Sequence, residues 1–424
     1  MKQESIAIHA GYDTKQGTGA MAVPIYSTTA FDFGTADTAA NRFALAELGP
    51  IYSRLTNPTL DILETRFAEF DGGAAAISTS SGQAAMFFAV ANLAAAGDNI
   101  ILASKVYGGA TSLFTHTMKR FGLQARIFDA DSADELENLI DDRTKAIFFE
   151  SLSNPQIAIP NIEKITQIAK KHRVVTIVDN TVATPVLFAP FSHGIDMAVY
   201  SVTKYVGGQG NALGGMIVSS KELNALLKGN PRYPHFNEPD ESYHGLVFAS
   251  LPEIFDINTL RIRVGLMRDI GAVLSPDSAF KIIQGLETLS IRMQKHCENA
   301  LKVAEFLSSH NKVKAVNYPG LKSDKFNDRA KKYLKDGFAS ALISFDVGDK
   351  EIAKHIINST KLFKIVVNIG DTKSLITHPA STTHSQLSEA ELNANGIGAG
   401  VIRLSIGIEN ADDLIADLKQ ALDA

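Results

Sequence analysis

The feature that most constrains this chain is a series of short, uninterrupted apolar runs in its first half. Each run is three to five residues long, which suits a β-strand and is too short for a helix. Apolar runs without polar alternation are typical of strands that are buried on both faces of a parallel sheet. Seven such runs lie at residues 75–79, 100–103, 125–128, 146–149, 174–178, 197–199 and 216–218.

Helical stretches separate these runs. Apolar residues recur at helical spacing in four intervening segments, at residues 83–95, 111–121, 133–140 and 162–171. Strands that alternate with helices build an α/β domain, in which helices cover both faces of a mostly parallel sheet. We therefore predict a large domain with a mostly parallel, seven-stranded sheet. Ligands bind beyond the carboxyl ends of the strands in such a sheet, so we expect one large site there. The polar residues that fall at this edge are Ser80-Ser81-Gly82, Tyr107, Glu150, Asn154, Asp179 and Lys204.

The two ends of the chain differ from this middle part. The last third mixes strand-like and helical patterns, which predicts a smaller C-terminal α+β domain. A helix is predicted over 257–273, and a long helical pattern over 280–307 joins the halves. The first 58 residues have little periodic pattern but carry apolar residues that need burial. We expect an arm (1–58) that contacts a neighbouring subunit, a large domain (59–260) and a small domain (261–424). An arm folded back on its own chain is the alternative.

Composition excludes several classes of protein. The formal net charge is -5 and no basic block occurs, which argues against nucleic-acid binding. The N-terminus has no secretory pattern and no apolar stretch is long enough to span a bilayer, so we expect a cytoplasmic protein without a membrane partner. The single cysteine, Cys297, is interpreted as a buried apolar residue, and the spacing of the eleven histidines predicts no metal site.

Lys204 is the residue around which we interpret the rest. A lysine after a strand is ordinarily a surface charge, but three neighbours indicate otherwise. Ser201 and Thr203 place hydroxyl groups beside it, and Asp179 could hold a pyridinium nitrogen protonated. The segment 81–83 opens a helix whose amide groups suit a phosphate. We therefore predict that Lys204 carries pyridoxal phosphate as a Schiff base.

Other candidates each have a plain structural alternative. Arg403 lies in an apolar run, where it either binds a substrate carboxylate or forms a buried ion pair. Tyr107 either stacks on a cofactor ring or simply packs. Tyr52 and Arg54 are phosphate-binding candidates that could equally be part of a surface turn. Asp179 could be a helix cap or a turn residue.

Seven motifs, taken in order, resemble one family over nearly the whole chain. That family is the pyridoxal-phosphate-dependent enzymes of cysteine and methionine metabolism, the cystathionine γ-synthase-like group of fold type I. Two further segments, 238–245 and 368–384, are similar to its O-acetylhomoserine sulfhydrylase subgroup. The seven motifs are Tyr-Ser-Arg-Leu-Thr-Asn-Pro-Thr (52–59), Ser-Ser-Gly-Gln-Ala-Ala (80–85), Tyr-Gly-Gly-Ala-Thr (107–111), Glu-Ser-Leu-Ser-Asn-Pro (150–155), Val-Asp-Asn-Thr (178–181), Ser-Val-Thr-Lys-Tyr (201–205) and Val-Ile-Arg-Leu-Ser-Ile-Gly (401–407).

The resemblance implies a role for each candidate. Lys204 and Tyr107 are the implied catalytic residues; Lys204 attaches the cofactor and shuttles protons, and Tyr107 stacks on its ring. Asp179 pairs with the pyridine nitrogen. Asn368 and Arg403 bind the substrate. The remaining implied cofactor-binding residues are Ser81, Gly82, Gln83, Asn154, Thr181, Ser201 and Thr203, joined by Tyr52 and Arg54 from a neighbouring subunit.

The resemblance also implies an activity and partners. We expect γ-replacement on O-acetylhomoserine by a sulfur donor, in a homotetramer built from two catalytic dimers. A γ-lyase or a cystathionine γ-synthase is the alternative within the family, and a metabolite-binding protein without catalysis is the alternative outside it. The sequence does not decide between an acetyl and a succinyl ester of homoserine. It also leaves open the sulfur donor, which could be sulfide, methanethiol or a thiocarboxylate on a sulfur-carrier protein.

Overall fold

The structure is a computed structural model that describes residues 1–15, 18–382 and 396–424. Its larger sheet has seven strands, and six of them run in the same direction. The strands are β1 (Ala75–Thr79), β2 (Asn99–Ala103), β3 (Gln124–Phe128), β4 (Thr144–Glu150), β5 (Val175–Asp179), β6 (Met197–Tyr200) and β7 (Gly215–Ser219).

The strand order in this sheet is β1-β7-β6-β5-β4-β2-β3. Strands β2 to β6 pair in parallel, whereas β7 runs antiparallel to both β1 and β6. Most residues of these strands are buried, as expected for short apolar runs. The predicted fold, a mostly parallel seven-stranded sheet with helices around it, is confirmed.

The α-helices begin with good capping residues where they matter for the site. Asn57 caps the third helix and Ser81 caps the fourth, each through its side-chain oxygen. The helices are α1 (Gln3–His9), α2 (Ala36–Phe43), α3 (Pro58–Asp71), α4 (Gly82–Ala91), α5 (Gly108–Ser112), α6 (Ile162–His172), α7 (Thr184–Leu187), α8 (Leu223–Leu227), α9 (Pro234–Asn237), α10 (Ile257–Arg261), α11 (Arg268–Ile270), α12 (Pro276–Glu287), α13 (Leu289–Ser309), α14 (Asn327–Tyr333), α15 (Lys350–Ser359) and α16 (Ala411–Asp423).

Irregular helical turns replace three of the helices that the sequence predicts. The predicted helices at 111–121 and 257–273 each contain a π-helical turn, so neither is a continuous α-helix. The predicted helix at 133–140 is only a 3₁₀ turn. The π-helical turns are Leu113–Thr117 and Ile262–Met267, and the 3₁₀ turns are Met118–Phe121, Leu136–Leu139, Pro190–His193, Glu241–Tyr243, Phe248–Ser250, Lys335–Gly337 and Pro379–Ser381.

The second sheet belongs to the C-terminal part of the chain. It has the order β10-β11-β12-β9-β8 and is antiparallel except for the β10–β11 pair. Cys297 is buried in α13, and burial raises the pKa of its thiol to about 12, in keeping with a core residue. The strands are β8 (Ala315–Asn317), β9 (Leu342–Asp346), β10 (Lys364–Ile365), β11 (Leu375–Thr377) and β12 (Val401–Ser405).

The long helix predicted over 280–307 is two helices. Helix α12 ends and α13 begins at Thr288, whose backbone leaves helical geometry. Arg292 takes part in the break, because its Nη2 donates to the carbonyl of Gly285, 2.6 Å away. The same carbonyl accepts the Thr288 amide at 3.3 Å, which is a tighter, 3₁₀-type bond.

The N-terminal arm is more ordered than the sequence predicts. It contains α1 and α2, and α1 packs against α3 of the same chain. Arg66 in α3 donates through Nε to the carbonyl of Ala10, 2.8 Å away. Farther along the arm, Phe43 and Tyr52 expose 57% and 40% of their surface to solvent. The first ten residues therefore pack on their own chain, while a contact between the arm and a neighbouring subunit stays a prediction.

None of the helices in the described residues is both long and apolar enough to cross a membrane. Of the segment 368–384, Thr383 and His384 lie outside the described residues.

Candidate active site

A cavity of about 200 Å³ lies at the carboxyl ends of β4, β5 and β6. Ligand sites in open α/β sheets occur at this edge, where loops from several strands meet. All the predicted site residues except Tyr52 and Arg54 line it. They are Ser81, Gly82, Gln83, Tyr107, Asn154, Asp179, Thr181, Ser201, Thr203, Lys204, Asn368 and Arg403.

Lys204 reaches the cavity from the loop after β6. Its Nζ donates a hydrogen bond to Oδ1 of Asn368, 2.5 Å away. Burial lowers the pKa of the amine, and the nearby guanidinium of Arg403 lowers it further. Both effects disfavour the ammonium form, so the amine is closer to the unprotonated state that a nucleophile needs.

The first turn of α4 meets the loop after β6 at very short range. A Cβ at Gly82 would lie 2.7 Å from Cβ of Ser201, so only glycine fits there without a shift. The first amides of a helix have no intrahelical acceptor, and Gly82 and Gln83, the first two residues of α4, line the cavity. Together with the hydroxyl groups of Ser201 and Thr203, they form a site suited to an anion.

Two hydrogen bonds hold the loops of this anion site. The Ser201 amide donates to Oγ1 of Thr181 at 2.8 Å, which joins the ends of β5 and β6. Oγ1 of Thr203 donates to the Gly214 carbonyl and accepts from the Gly214 amide. These bonds fix the backbone on both sides of Lys204.

Asp179 is the half-buried last residue of β5, and it lines the cavity. Its Oδ1 accepts from the amide of Thr181 at 3.0 Å and from the hydroxyl of Thr181 at 2.5 Å. Burial raises the pKa of Asp179 despite these donors. No lysine, arginine or histidine in the described ranges forms an ion pair with it. A cation delivered by a ligand, such as a protonated ring nitrogen, would therefore complete its environment.

Arg403 enters the cavity from β12 of the second sheet. Nη1 donates to Oδ1 of Asn154 at 3.0 Å, and Nη2 donates to the carbonyl of Asn368 at 3.1 Å. Its buried Nε has no partner, and burial lowers the pKa of the guanidinium to about 10. Within residues 1–15, 18–382 and 396–424, no carboxylate forms an ion pair with it. The alternative of a structural ion pair is therefore absent from the described chain, and the charge is available to a ligand.

Glu150 is a cavity residue that our sequence-based set of site residues omitted. It ends β4, directly beside Asp179 in the register of the two strands. Its carboxylate accepts from the amides of Tyr107 and Asn154 at 2.5 and 3.1 Å. Its position at a strand's carboxyl end was a usable signal, but its partners were not visible in the sequence.

Tyr52 and Arg54 lie outside this cavity. The Arg54 guanidinium stacks over the Tyr52 ring, 5.1 Å from its centroid, on the surface of the arm. Neither residue contributes to the cavity of its own chain, so their role in phosphate binding stays a prediction.

The residues of the cavity fit pyridoxal phosphate. The helix terminus with its hydroxyl groups suits the phosphate, and the uncompensated carboxylate of Asp179 suits the ring nitrogen. Lys204 supplies an amine of lowered pKa, and the ring of Tyr107 borders the same space.

Comparisons with known proteins agree with this fit. A crystal structure of a putative O-acetylhomoserine (thiol)-lyase from Campylobacter jejuni, which contains a pyridoxyl-lysine phosphate at its own position 205, matches with a TM-score of 0.98 and 54% identity over 100% of both chains. The O-acetyl-L-homoserine sulfhydrylase of Leptospira meyeri is 42% identical over 99% of this chain and 96% of that protein. The homocysteine synthase of Schizosaccharomyces pombe is 41% identical over 99% of this chain and 98% of that protein.

A sequence family described as Cys/Met metabolism PLP-dependent enzyme matches residues 4–423. The match covers both sheets and every described residue of the cavity, which confirms the predicted cofactor, pyridoxal phosphate. Because the match spans nearly the whole chain, the chain belongs to the pyridoxal-phosphate-dependent enzyme family of cysteine and methionine metabolism.

Proposed function

We propose that this chain catalyses γ-replacement on O-acetylhomoserine, with a sulfur nucleophile as the second substrate and acetate as the leaving group. Sulfide would give homocysteine, and methanethiol would give methionine. Full-length relatives named for the first of these reactions support the proposal. The observation that carries it is the hydrogen-bonded series from Lys204 through Asn368 to Arg403, because it joins a reactive amine to a carboxylate-binding guanidinium.

Arg403 binds the α-carboxylate of the amino acid in this proposal. Its guanidinium is held in place by Asn154 and Asn368, so its orientation is set before a substrate arrives. A fixed carboxylate limits the rotation of the substrate and holds the Cα–H bond in one direction. The partly unsatisfied donors of Arg403 are the groups that a carboxylate would engage.

Lys204 carries the proton transfers. Bound pyridoxal phosphate supplies an electron sink for negative charge at the carbons next to the amino nitrogen. With the cofactor bound to the substrate's amino group, Nζ of Lys204 would be free to take the proton from Cα. We assign the second transfer, from Cβ, to the same amine, since Asn368 Oδ1 accepts its hydrogen and keeps it beside the cavity.

Loss of the Cβ proton drives the acetate from Cγ. The sulfur nucleophile then forms the new bond at Cγ, and protons return to Cβ and Cα from Lys204. With hydrosulfide as the donor, O-acetylhomoserine and HS⁻ are converted to homocysteine and acetate, so atoms and charge balance. Burial raises the pKa of Asp179, and the positive charge of a bound ring nitrogen would favour its ionised form.

The functional unit in this proposal is a homotetramer of two catalytic dimers, in which Tyr52 and Arg54 of one subunit reach the neighbour's phosphate. Two features support a shared site: the pair lies outside its own cavity, and the arm exposes Phe43 and Tyr52. A second chain that covered these two side chains would remove their apolar area from water.

Product analysis tests the proposed activity. Purified holoenzyme is given O-acetylhomoserine, or O-succinylhomoserine, with sulfide, methanethiol or a protein thiocarboxylate in turn. We expect acetate and a new thiol or thioether in equal amounts, only when a sulfur donor is present. Release of a 2-oxo acid at the same rate without any donor would instead identify a γ-lyase.

A further inference from the structure

Glu150 connects two loops that carry different parts of the cavity. One carboxylate oxygen accepts from the amide of Tyr107 at 2.5 Å, at the start of α5. The other accepts from the amide of Asn154 at 3.1 Å, in the loop after β4. The side chain therefore holds the backbone of two residues that lie 47 positions apart in the chain.

Each of these residues faces a different ligand group. Tyr107 places its ring beside the cavity, next to the first turn of α5. Asn154 places Oδ1 against Nη1 of Arg403, 3.0 Å away. A displacement of the Asn154 backbone would thus move an acceptor that orients the guanidinium.

A carboxyl group is an unusual choice for a purely structural bridge at this position. Glu150 is buried beside the half-buried carboxylate of Asp179, at the paired ends of β4 and β5. Burial and the charge of Asp179 raise the pKa of Glu150 well above its usual value, and in the part of the chain that the structure describes no cation forms an ion pair with it. An amide side chain would avoid this cost, but it would not offer two acceptor oxygens.

We propose that Glu150 is a positioning residue, whose carboxyl group holds the backbone of Tyr107 and Asn154 in place. The position of the Tyr107 ring and the orientation of the Arg403 guanidinium then both depend on this one side chain. The inference rests on the proposed roles of Tyr107 and Arg403. It concerns the geometry of the site and is independent of which sulfur donor the enzyme uses.

The substitution Glu150→Gln tests this directly. Glutamine has one acceptor oxygen, and its NH₂ group would face the second amide, so one of the two amides loses its acceptor. We expect pyridoxal phosphate to remain bound, with a changed visible circular dichroism signal that reports ring orientation. The KM for the amino-acid substrate should rise about tenfold, the size of one lost hydrogen bond to a charged group.

Asp417→Asn is the matched control. Asp417 in α16 is also buried and also accepts backbone amides, those of Lys361 and Leu362, but it lies outside the cavity. Its substitution should lower the thermal midpoint while the cofactor's circular dichroism and the KM stay unchanged. If Glu150→Gln behaved in the same way as this control, Glu150 would be a structural residue only and the proposal would be wrong.

A double-mutant cycle separates positioning through Asn154 from other effects. Asn154→Ala keeps the backbone amide but removes the oxygen that contacts Arg403. If Glu150 acts on KM through Asn154, adding Glu150→Gln to Asn154→Ala should raise KM by less than about twofold. Multiplicative effects would overturn the proposal.

Glu150→Asp covers the case in which Glu150→Gln does not fold. It keeps the carboxyl group but is one methylene shorter, so it cannot reach both amides. The proposal predicts a changed circular dichroism signal and a raised KM, whereas wild-type values would contradict it. The circular dichroism signal needs only the bound cofactor, so that readout stands even if the proposed reaction is not the one catalysed.

Discussion

At the scale of single residues, the amine of Lys204 is controlled by its surroundings in two ways. Burial and the positive charge of Arg403 lower its pKa, while Oδ1 of Asn368 accepts one of its hydrogens. The first effect makes the lone pair available, and the second directs it. Covalent attachment of the cofactor and removal of a substrate proton both need that lone pair.

Substitution of Lys204 by alanine removes both functions. We expect turnover to fall by at least about a thousandfold, because nucleophile and proton carrier are lost together. The visible absorbance of the lysine-bound cofactor should disappear, as measured after dialysis and gel filtration. Lys221→Ala, at an exposed lysine just after β7, is the control and should retain both signals. A Lys204→Ala protein with both signals intact would exclude this lysine as the attachment site.

At the scale of elements, the cavity depends on how closely α4 approaches the loop after β6. Ser81 caps the helix through Oγ, and Gly82 lets the first turn lie against Ser201. The approach brings free helix amides beside the hydroxyl groups of the loop. An anion site of this kind arises from the contact between two elements, since neither element forms it alone.

Gly82→Ala should therefore weaken cofactor binding. The new methyl group would lie 2.7 Å from Cβ of Ser201, which forces the helix and the loop apart. Overpacking of this kind costs about 1–3 kcal/mol, so we expect the Kd for pyridoxal phosphate to rise by about ten- to a hundredfold. Titration of the apoenzyme gives the Kd. Gly265→Ala is the control, because a Cβ there meets nothing within 4 Å.

The contact between the end of α3 and the end of β6 should make stability depend on pH. Asp71 accepts from the hydroxyl of Tyr200 at 2.6 Å, and burial raises the pKa of its carboxyl from 3.8 to about 7. A raised pKa in the folded state means that this group's contribution to stability is full below pH 3.8. That contribution is lost as the pH rises towards 7.

Asp71→Asn keeps an acceptor for Tyr200 but stays neutral at every pH. We subtract the unfolding free energy of wild type from that of the variant at each pH. This difference should be larger at pH 8 than at pH 5 by about 2 to 3 kcal/mol. Denaturant unfolding of both holoenzymes at the two pH values measures this difference. A difference that is the same at pH 5 and pH 8 would show that Asp71 does not titrate in this range.

At the scale of the whole molecule, the arm separates Tyr52 and Arg54 from the cavity of their own chain. The proposed catalytic dimer places them in the neighbour's cavity, and subunit complementation can test this. Lys204→Ala and Arg54→Ala are each expected to be nearly inactive. In a hybrid dimer, one site would have Lys204 from one subunit and Arg54 from the other, and would be intact.

Co-expression of the two variants should therefore restore activity. Random pairing makes half of the dimers hybrid, and half of the sites in each hybrid are intact, so we expect roughly a quarter of wild-type activity. The control is each variant expressed alone. No recovery on co-expression, with hybrids confirmed by two affinity tags, would mean that Arg54 serves its own subunit.

Much of the fold followed from local pattern. All seven runs in the first half became strands, with ends that differ from the prediction by at most two residues. A strand buried on both faces must be apolar throughout, so the pattern is visible without tertiary contacts. The continuous helices predicted at 111–121, 257–273 and 280–307 were wrong, because periodicity does not register a π-helical turn or a side chain such as Arg292 that takes a helix carbonyl. The domain boundaries and the subunit contact stay predictions.

By itself, the sequence determined the sheet, the edge at which polar residues gather, and Lys204 as the amine in that edge. Only the tertiary structure decided what those residues touch. Arg403 contacts Asn154 across 249 positions, and Lys204 contacts Asn368 across 164. The sequence placed Glu150 at that edge without a role, and only the structure showed its two amide partners. Burial pattern is a local property of the chain, whereas hydrogen-bond partners depend on how distant segments pack within a few ångströms.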